Sequence, residues 1–420
     1  MSSLPVSKLI QSMLVFYLIA WTVSPPLQID MAFRILALCA AIFWFILDIP
    51  NKVEYEKIHI YALLLLMMVI VVTLIQNEGE LAEVLKPINY YMLILAFLMA
   101  YCYKDRWNEL TPLIPVVLLL FIFFNYKSAQ AVIEDPTLAR LIVRDDPEVY
   151  PYMRSGVGGY NLLYPQVCVL PALVLWVIKA FRKNTIKFII GALWLASFAY
   201  FLLNSGYSIA VVASLAGLIL LFFYKRKSVT LAVVITAFLI FLLVYLIGYN
   251  DGFRNSLLEF FDGTTVAKKI NDIYMSITTT DTADSIMVRM DAYLESLTTI
   301  ITYPIIGCLW WSNGGGHSAL LDAIAKYGVF GGYMFIKMVF ELPLRIKKES
   351  NNKKDIEFAN ALFISVLIVT LLDSLTYNFI FTLLFLAPMC YSEILKWRKN
   401  DEDTLDSQPH TVNSLKIIKH

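Results

Sequence analysis

Charge is what this chain has least of. Only 16% of its 420 residues are Asp, Glu, Lys or Arg, and they nearly cancel, to a net charge of +1. Such a chain has no global attraction for a polyanion, which excludes nucleic acid as an expected partner. Histidine is scarce too, with four in the whole sequence. Of five cysteines, Cys39, Cys102, Cys168 and Cys390 fall within apolar runs. That pattern gives no disulfide framework and no metal-ligand spacing, so neither a metal nor another cofactor is expected. No internal repeat is visible, and no inverted halves of the kind that mark many secondary transporters. The first apolar run lacks a small-residue cleavage site, and Pro25 and Pro26 lead straight into the next run, so no cleavable signal peptide is expected.

What fills the chain is hydrophobic sequence, at 59% of residues. No soluble domain of this size needs so much. Long uncharged runs recur, each near the ~20 residues that cross a bilayer. The chain reads as an all-α polytopic membrane protein with about twelve transmembrane helices. The expected spans are 9–23, 31–47, 60–76, 88–103, 113–125, 162–181, 188–203, 207–224, 229–248, 318–342, 358–372 and 379–395. They form a single transmembrane domain, 1–395, interrupted by two long loops at 126–160 and 249–317. The polar segment 396–420 reads as a disordered cytoplasmic tail.

Orientation follows from the short loops. Lys and Arg cluster in 52–57, 104–106, 182–187, 225–227, 345–354 and 396–399. The alternate loops, 24–30, 77–87, 204–206 and 373–378, carry only Lys86. The positive-inside rule puts both termini in the cytoplasm and both long loops outside. Chemistry built from those loops has no access to cytosolic ATP or nucleotide sugars.

The outer segments hold the candidate site. From Ser285, apolar residues at helical spacing (Ile286, Met290, Leu294, Leu297, Ile301) share one face, with Asp291, Glu295 and Thr298 on another and Arg289 at the edge of the stripe. Pro304 and Gly307 end that helix, and Trp310 and Trp311 suit a membrane interface. Gly314, Gly315 and Gly316 free the backbone before His317, and a second helix follows. A cation, a glycine turn and an imidazole at a helix N-terminus suit phosphate. His59 lies at the cytoplasmic end of a span and His410 and His420 in the tail, so His317 alone is available outside, as general base or as hydrogen-bond donor. Ser318, Asp322 and Lys326 follow at four-residue steps on one face. Asp322 and Lys326 read either as an ion pair holding the bundle or as site residues, with Asp322 orienting His317 or serving as base itself.

The first long loop ends Arg154-Ser-Gly-Val-Gly-Gly-Tyr-Asn161, where Arg154 offers a bidentate fork for phosphate. Tyr160 and Asn161 either bind sugar hydroxyls or cap the next helix. Arg140 and Arg144 sit among acidic residues and read as a self-paired, solvated loop. Lys86, Arg34 and the polar turn Asp373–Asn378 each read as ordinary interface residues, and together they complete an outer surface fit for a polar substrate.

These motifs resemble the O-antigen polymerase and ligase superfamily. The shared pattern is Arg289, Pro304-Ile-Ile-Gly307, Gly316-His317-Ser-Ala-Leu-Leu-Asp322 and Tyr327-Gly328, with the Arg154–Asn161 segment resembling the arginine-glycine loop of the polymerases and Asn204-Ser-Gly206 the family's short turn. The resemblance implies a metal-independent membrane glycosyltransferase. Its substrate is an undecaprenyl-pyrophosphate-linked oligosaccharide, and polymerases of the family usually work with a chain-length regulator protein. It further implies that Arg289 and Arg154 hold pyrophosphate and that His317 helps with the pyrophosphate or activates the acceptor hydroxyl. By residue type and position, Lys86 joins the pyrophosphate site, Tyr160, Asn161, Gly315 and Gly316 join the substrate site, and Asp322 stands beside His317 as catalytic. Ligases commonly carry Asn directly after the histidine. Ser318 stands there instead, which favours the polymerase branch.

Overall fold

The computed structural model describes residues 6–48, 58–77, 87–135, 138–143, 147–223, 245–262, 284–308, 315–374 and 376–406, with isolated positions between 238 and 275. Among these residues the chain is helical throughout. Seven helices are long and apolar enough to cross a membrane: Val6–Val23 (α1), Leu113–Glu134, Tyr160–Lys183, Thr185–Asn204, Ala319–Val339, Lys353–Leu372 and Asn378–Asp401. Four shorter apolar helices match further expected spans, at Ala32–Leu47, Ile60–Gln76, Ile88–Cys102 and Ala210–Phe222. The span expected at 229–248 lies largely outside the described residues. The fold defines a helical multi-pass membrane protein.

In chain order, α1 is followed by α2 (Pro25–Ile29), α3 (Met31–Asp48), α4 (Ile58–Gln76), α5 (Ile88–Cys102), α6 (Leu113–Glu134), α7 (Leu138–Val143) and α8 (Tyr150–Arg154). Then come α9 (Tyr160–Lys183), α10 (Thr185–Asn204), α11 (Ser208–Phe223), α12 (Asp251–Phe260), α13 (Asp284–Thr302), α14 (Ala319–Val339), α15 (Glu341–Glu349) and α16 (Lys353–Leu372). A short α17 (Tyr377–Phe381) continues through a π turn into α18 (Ala387–Asp406). Helix α9 is the axis of the bundle, packed by α10, α11, α16 and α18. Its apolar residues are buried on nearly every side. Arg182 and Lys183 close it where the helix dipole favours cations, and Asn184 then caps α10 by accepting from the Lys187 amide at 3.0 Å.

Many polar groups inside the spans are paired internally, as a lipid surrounding favours. The hydroxyls of Thr73, Ser128, Ser214 and Thr370 donate to carbonyls one turn back. Gln166 of α9 and Asn125 of α6 exchange two amide hydrogen bonds, at 2.7 and 2.9 Å, and the Trp194 indole of α10 donates to the same Gln166 oxygen at 2.8 Å.

Two expected boundaries move. Helix α6 runs on to Glu134 instead of ending at Asn125, because Ser128, Ala129 and Val132 keep a buried face at helical spacing. The remainder of loop 126–160 is seated by its own small core of Leu138, Ile142, Val149, Met153 and Val157. The expected tail from 396 begins as helix, since α18 extends to Asp406. Ion pairs of Lys183 with Asp401 and of Arg398 with Asp355 (2.9 Å) fasten it to α9 and α16.

Helix α14 is broken inside its span. Gly328 takes φ 67° and ψ −172°, which L-residues with side chains rarely adopt. The break separates the Val329 amide from the Ala325 carbonyl, partners in an unbroken helix. A strap at 304–308 inserts there and satisfies both: Val329 donates to the Pro304 carbonyl at 2.8 Å, and the Cys308 amide donates to Ala325 at 3.0 Å. A Cβ at Gly307 would overlap the Lys326 carbonyl, and one at Gly328 would overlap the Ile305 carbonyl. Gly328→Ala is therefore expected to destabilise the chain by roughly 3 kcal/mol, through left-handed strain and overlap with the strap. Gly252→Ala, in exposed α12 where the methyl meets only the Asn250 side-chain oxygen at an ordinary contact distance of 3.5 Å, should be neutral or stabilising by under ~1 kcal/mol. Thermal unfolding in detergent compares them, and equal melting of Gly328→Ala and wild type would rule out a tight clasp.

Candidate functional site

The two ends of the bundle are chemically distinct. At one end Lys187 pairs with buried Glu393, which also accepts from the Trp176 indole at 2.6 Å, and Lys8 and Arg106 converge on Glu109 at 2.9 Å each. Burial works against ionisation of Glu109, but the hydrogen bonds from Arg106 and Lys8 outweigh it and hold that carboxyl below its usual range. The sequence motifs meet at the other end.

Gly315, Ser318 and Asp322 are tied to α13 through one serine. The Gly315 amide donates to the Ser296 hydroxyl at 2.9 Å, and that hydroxyl donates to Asp322 Oδ1 at 2.7 Å. The Ser318 amide donates to Asp322 Oδ2 at 3.1 Å. Gly315 lies so close to α13 that a Cβ would overlap the Ala292 carbonyl, and Gly316 follows with φ 76°. Serine 318 caps α14, accepting from the Leu321 amide at 3.2 Å. The Ala319 amide donates to the Asp373 carbonyl and the Asp322 amide to the Ser318 carbonyl, both at 2.8 Å.

Two expectations take a different form here. The amides at the start of α14, suited to an anion by position, are largely engaged by the protein itself. Asp322 does not reach His317: both its oxygens serve the clamp between α13 and the cap of α14, and among the described residues no hydrogen bond or ion pair joins it to His317 or to Lys326. Lys326 instead lies 5.9 Å over the Tyr327 ring, one turn below Asp322. The His317 side chain is half-buried and makes no hydrogen bond among the described residues. The backbone of Arg289 lies in α13, one turn before Ala292 and Tyr293. The Arg289 side chain is outside the described part, as are Lys86, Arg144, Trp310 and Trp311.

The Arg154 loop reaches the same end. Arg154 pairs with Asp30 at 3.2 Å, with both side chains well exposed. An exposed pair of this kind is worth little and is readily exchanged for another anion. The Gly158 amide donates to Ser128 at 2.8 Å. Tyr160 packs edge-on against Tyr164 and Tyr207, with ring centroids 6.0 and 6.5 Å away. The Asn161 carbonyl accepts from Asn378 at 3.1 Å, and Asn378 also donates to Gln28 at 3.1 Å.

The turn between α16 and α17 joins the two halves. Its start receives the Ala319 amide at Asp373 and the Tyr293 hydroxyl at the Leu372 carbonyl, 3.3 Å. Its far end holds Asn161 and Gln28 through Asn378. Sequence reasoning named this turn as ordinary interface and overlooked Ser296, Tyr293, Tyr164, Tyr207 and Gln28. Ser296 was signalled only as a small residue on the polar flank of α13, and Gln28 as an amide in a turn between spans.

Chemically the end offers arginine at 154, a half-buried imidazole at 317, tyrosine rings and fixed glycine backbone. Among the described residues no three His, Cys, Asp or Glu side chains gather as a metal would need. No family model matches the chain, and no curated protein sequence matches it. The resemblance to O-antigen polymerases and ligases thus rests on the motif residues themselves.

Proposed function

We propose that the protein is a polymerase of lipid-linked oligosaccharide repeat units. In this reading it has about twelve spans in a bacterial inner membrane, both termini in the cytoplasm and the motif end in the periplasm. The observation that carries the reading is the convergence of both glycine loops, 154–161 and 315–318, on the single turn 372–378 at one end of an almost uncharged bundle. Supporting the orientation, the described basic loops, 104–106, 182–187, 345–354 and 396–399, belong to the opposite end.

The growing glycan is donated from undecaprenyl pyrophosphate to the non-reducing end of a repeat unit on a second carrier. The acceptor hydroxyl forms a bond to the anomeric carbon as the bond to the pyrophosphate oxygen breaks. Arg289 and Arg154, with Lys86, stabilise the charge that grows on the leaving pyrophosphate. The acceptor's proton passes to His317, whose imidazole makes no hydrogen bond among the described residues. Asp322 holds the turn that presents His317. The tyrosines at 160, 164 and 207 supply ring faces for sugars.

Gene deletion tests this, complemented by wild type, Arg289→Ala and His317→Ala, with the surface glycolipid run on a gel and each variant's membrane abundance measured. The expected result is a ladder that collapses to core plus one repeat unit in the deletion and in both variants. Polymer left on the carrier lipid, with none attached to core, would identify the ligase activity instead. One observation favours a transporter as the second reading: a broken span beside an intramembrane lysine, Gly328 and Lys326, resembles the interrupted helices that line transport sites. Dispensable Arg289 and His317 together with essential Lys326 would bring that reading forward.

A further inference from the structure

Among the described residues, helix α13 leaves one face exposed. Ala292 and Ser296 are buried against α14, while on the opposite side Met290, Leu294, Leu297 and Ile301 are 56%, 56%, 43% and 80% exposed. In the strap, Ile305 and Ile306 are 60% and 53% exposed. So much continuous apolar surface marks an interaction site.

The register of the neighbours fixes its level. Helices α13 and α14 run side by side in the same direction, with Ser296 against Asp322 and Pro304 against Val329. At ~1.5 Å per residue, Ile301 lies about 7.5 Å further along the bundle than Ser296, and the Pro304 end of the strap, level with Val329, about 10 Å. There the strap meets the ends of two apolar spans. The Cys308 carbonyl accepts from Gln76, the last residue of α4, at 3.0 Å. Tyr327 packs edge-on against Tyr90, in the first turn of α5, at 4.9 Å. Charge follows the same gradient. Asp291 and Glu295 precede Ser296, and no Asp, Glu, Lys or Arg occurs from Ser296 to Ser318.

We propose that α13 and its strap are seated in the lipid leaflet at the motif end of the bundle. Leu297, Ile301, Ile305 and Ile306 lie in the acyl-chain boundary, and Asp291 and Glu295 lie in the headgroup layer. The occupant of the apolar face is lipid, because the face descends to the level of two span ends just where charge disappears. The segment is then a membrane-seated element, not a solvated external loop. This seating does not depend on the polymerase reading. It puts the backbone of Arg289 at the height of lipid-borne phosphate.

Single cysteines at Asp291, Glu295, Ile301 and Ile305, in a chain freed of its five native cysteines, would carry nitroxide labels in phosphatidylethanolamine–phosphatidylglycerol vesicles. Oxygen, which concentrates in hydrocarbon, is compared with a water-soluble nickel chelate as the colliding reagent. The expected result is an oxygen-to-nickel ratio severalfold higher at Ile301 and Ile305 than at Asp291 and Glu295. Nickel access at Ile301 equal to that at Asp291 would overturn the proposal in favour of a solvated loop. Exclusion of both reagents would overturn it in favour of a second copy of the chain covering the face. If the cysteine-free chain fails to insert, benzoylphenylalanine at Ile301 in the native background gives an independent readout. Phospholipid adducts are expected, and protein adducts or none would reject lipid as the occupant.

Discussion

Gln166→Leu is expected to lower the stability of the folded bundle by about 3 kcal/mol. Gln166 is fully buried and makes four hydrogen bonds. Its amide donates to Asn125 Oδ1 at 2.7 Å and to the Leu162 carbonyl at 2.9 Å. Its oxygen accepts from Asn125 at 2.9 Å and from the Trp194 indole at 2.8 Å. Leucine would leave the Trp194 N–H and most of the Asn125 amide unpaired in a place water does not reach. Interhelical hydrogen bonds in membranes average well under ~2 kcal/mol each, so the loss comes mainly from the orphaned partners. The double change Gln166→Leu with Asn125→Leu should therefore be less damaging than the two single losses summed, by at least ~1 kcal/mol. Unfolding in mixed micelles measures the cycle. Strict additivity would mean that the network contributes nothing as a unit.

The same network explains what could be read from the sequence. Hydrophobic run length located all seven long helices, because lipid demands continuous apolar faces and few other patterns satisfy it. It placed the end of α6 too early, because Lys127 and Gln130 look like loop residues. Both are on the exposed side of a helix whose other side, Ser128, Ala129 and Val132, is buried. The tail was misplaced for a related reason: the charges of 396–401 look solvated in isolation, yet Arg398 and Asp401 have partners distant in sequence, Asp355 and Lys183. In the site, the glycines and Arg154 were legible because glycine-rich turns are rare in apolar sequence. Ser296 was not, since a serine on an amphipathic helix gives no sign of which loop it will hold. The break at Gly328 was equally hidden, because its partner strap is twenty residues away and pairs through backbone alone.

Asp322 provides the sharpest division between structure and chemistry at the site. On the proposed polymerase reading, Asp322→Leu is expected to abolish glycan polymerisation, and Asp322→Asn to retain it within about tenfold. Leucine removes both acceptors, leaving the Ser318 amide unpaired and the Ser296 hydroxyl only its longer 3.2 Å bond to the Ala292 carbonyl, a loss of about 2–3 kcal/mol at the joint that presents His317. Asparagine keeps one acceptor for Ser296 and sets its amide against the Ser318 N–H, a smaller loss of about 1–2 kcal/mol. Were Asp322 the base that takes the acceptor's proton, both changes would remove it, and asparagine would be as inactive as leucine, a fall of roughly 10²–10⁴. The surface-glycan ladder with matched membrane abundance separates the cases. His317→Ala supplies the complementary arm: its loss should abolish polymerisation while leaving the Ser296–Asp322–Ser318 clamp, and hence the melting temperature, unchanged. A ladder retained in His317→Ala but lost in Asp322→Asn would move the base from the histidine to the aspartate and make the clamp part of the proton path.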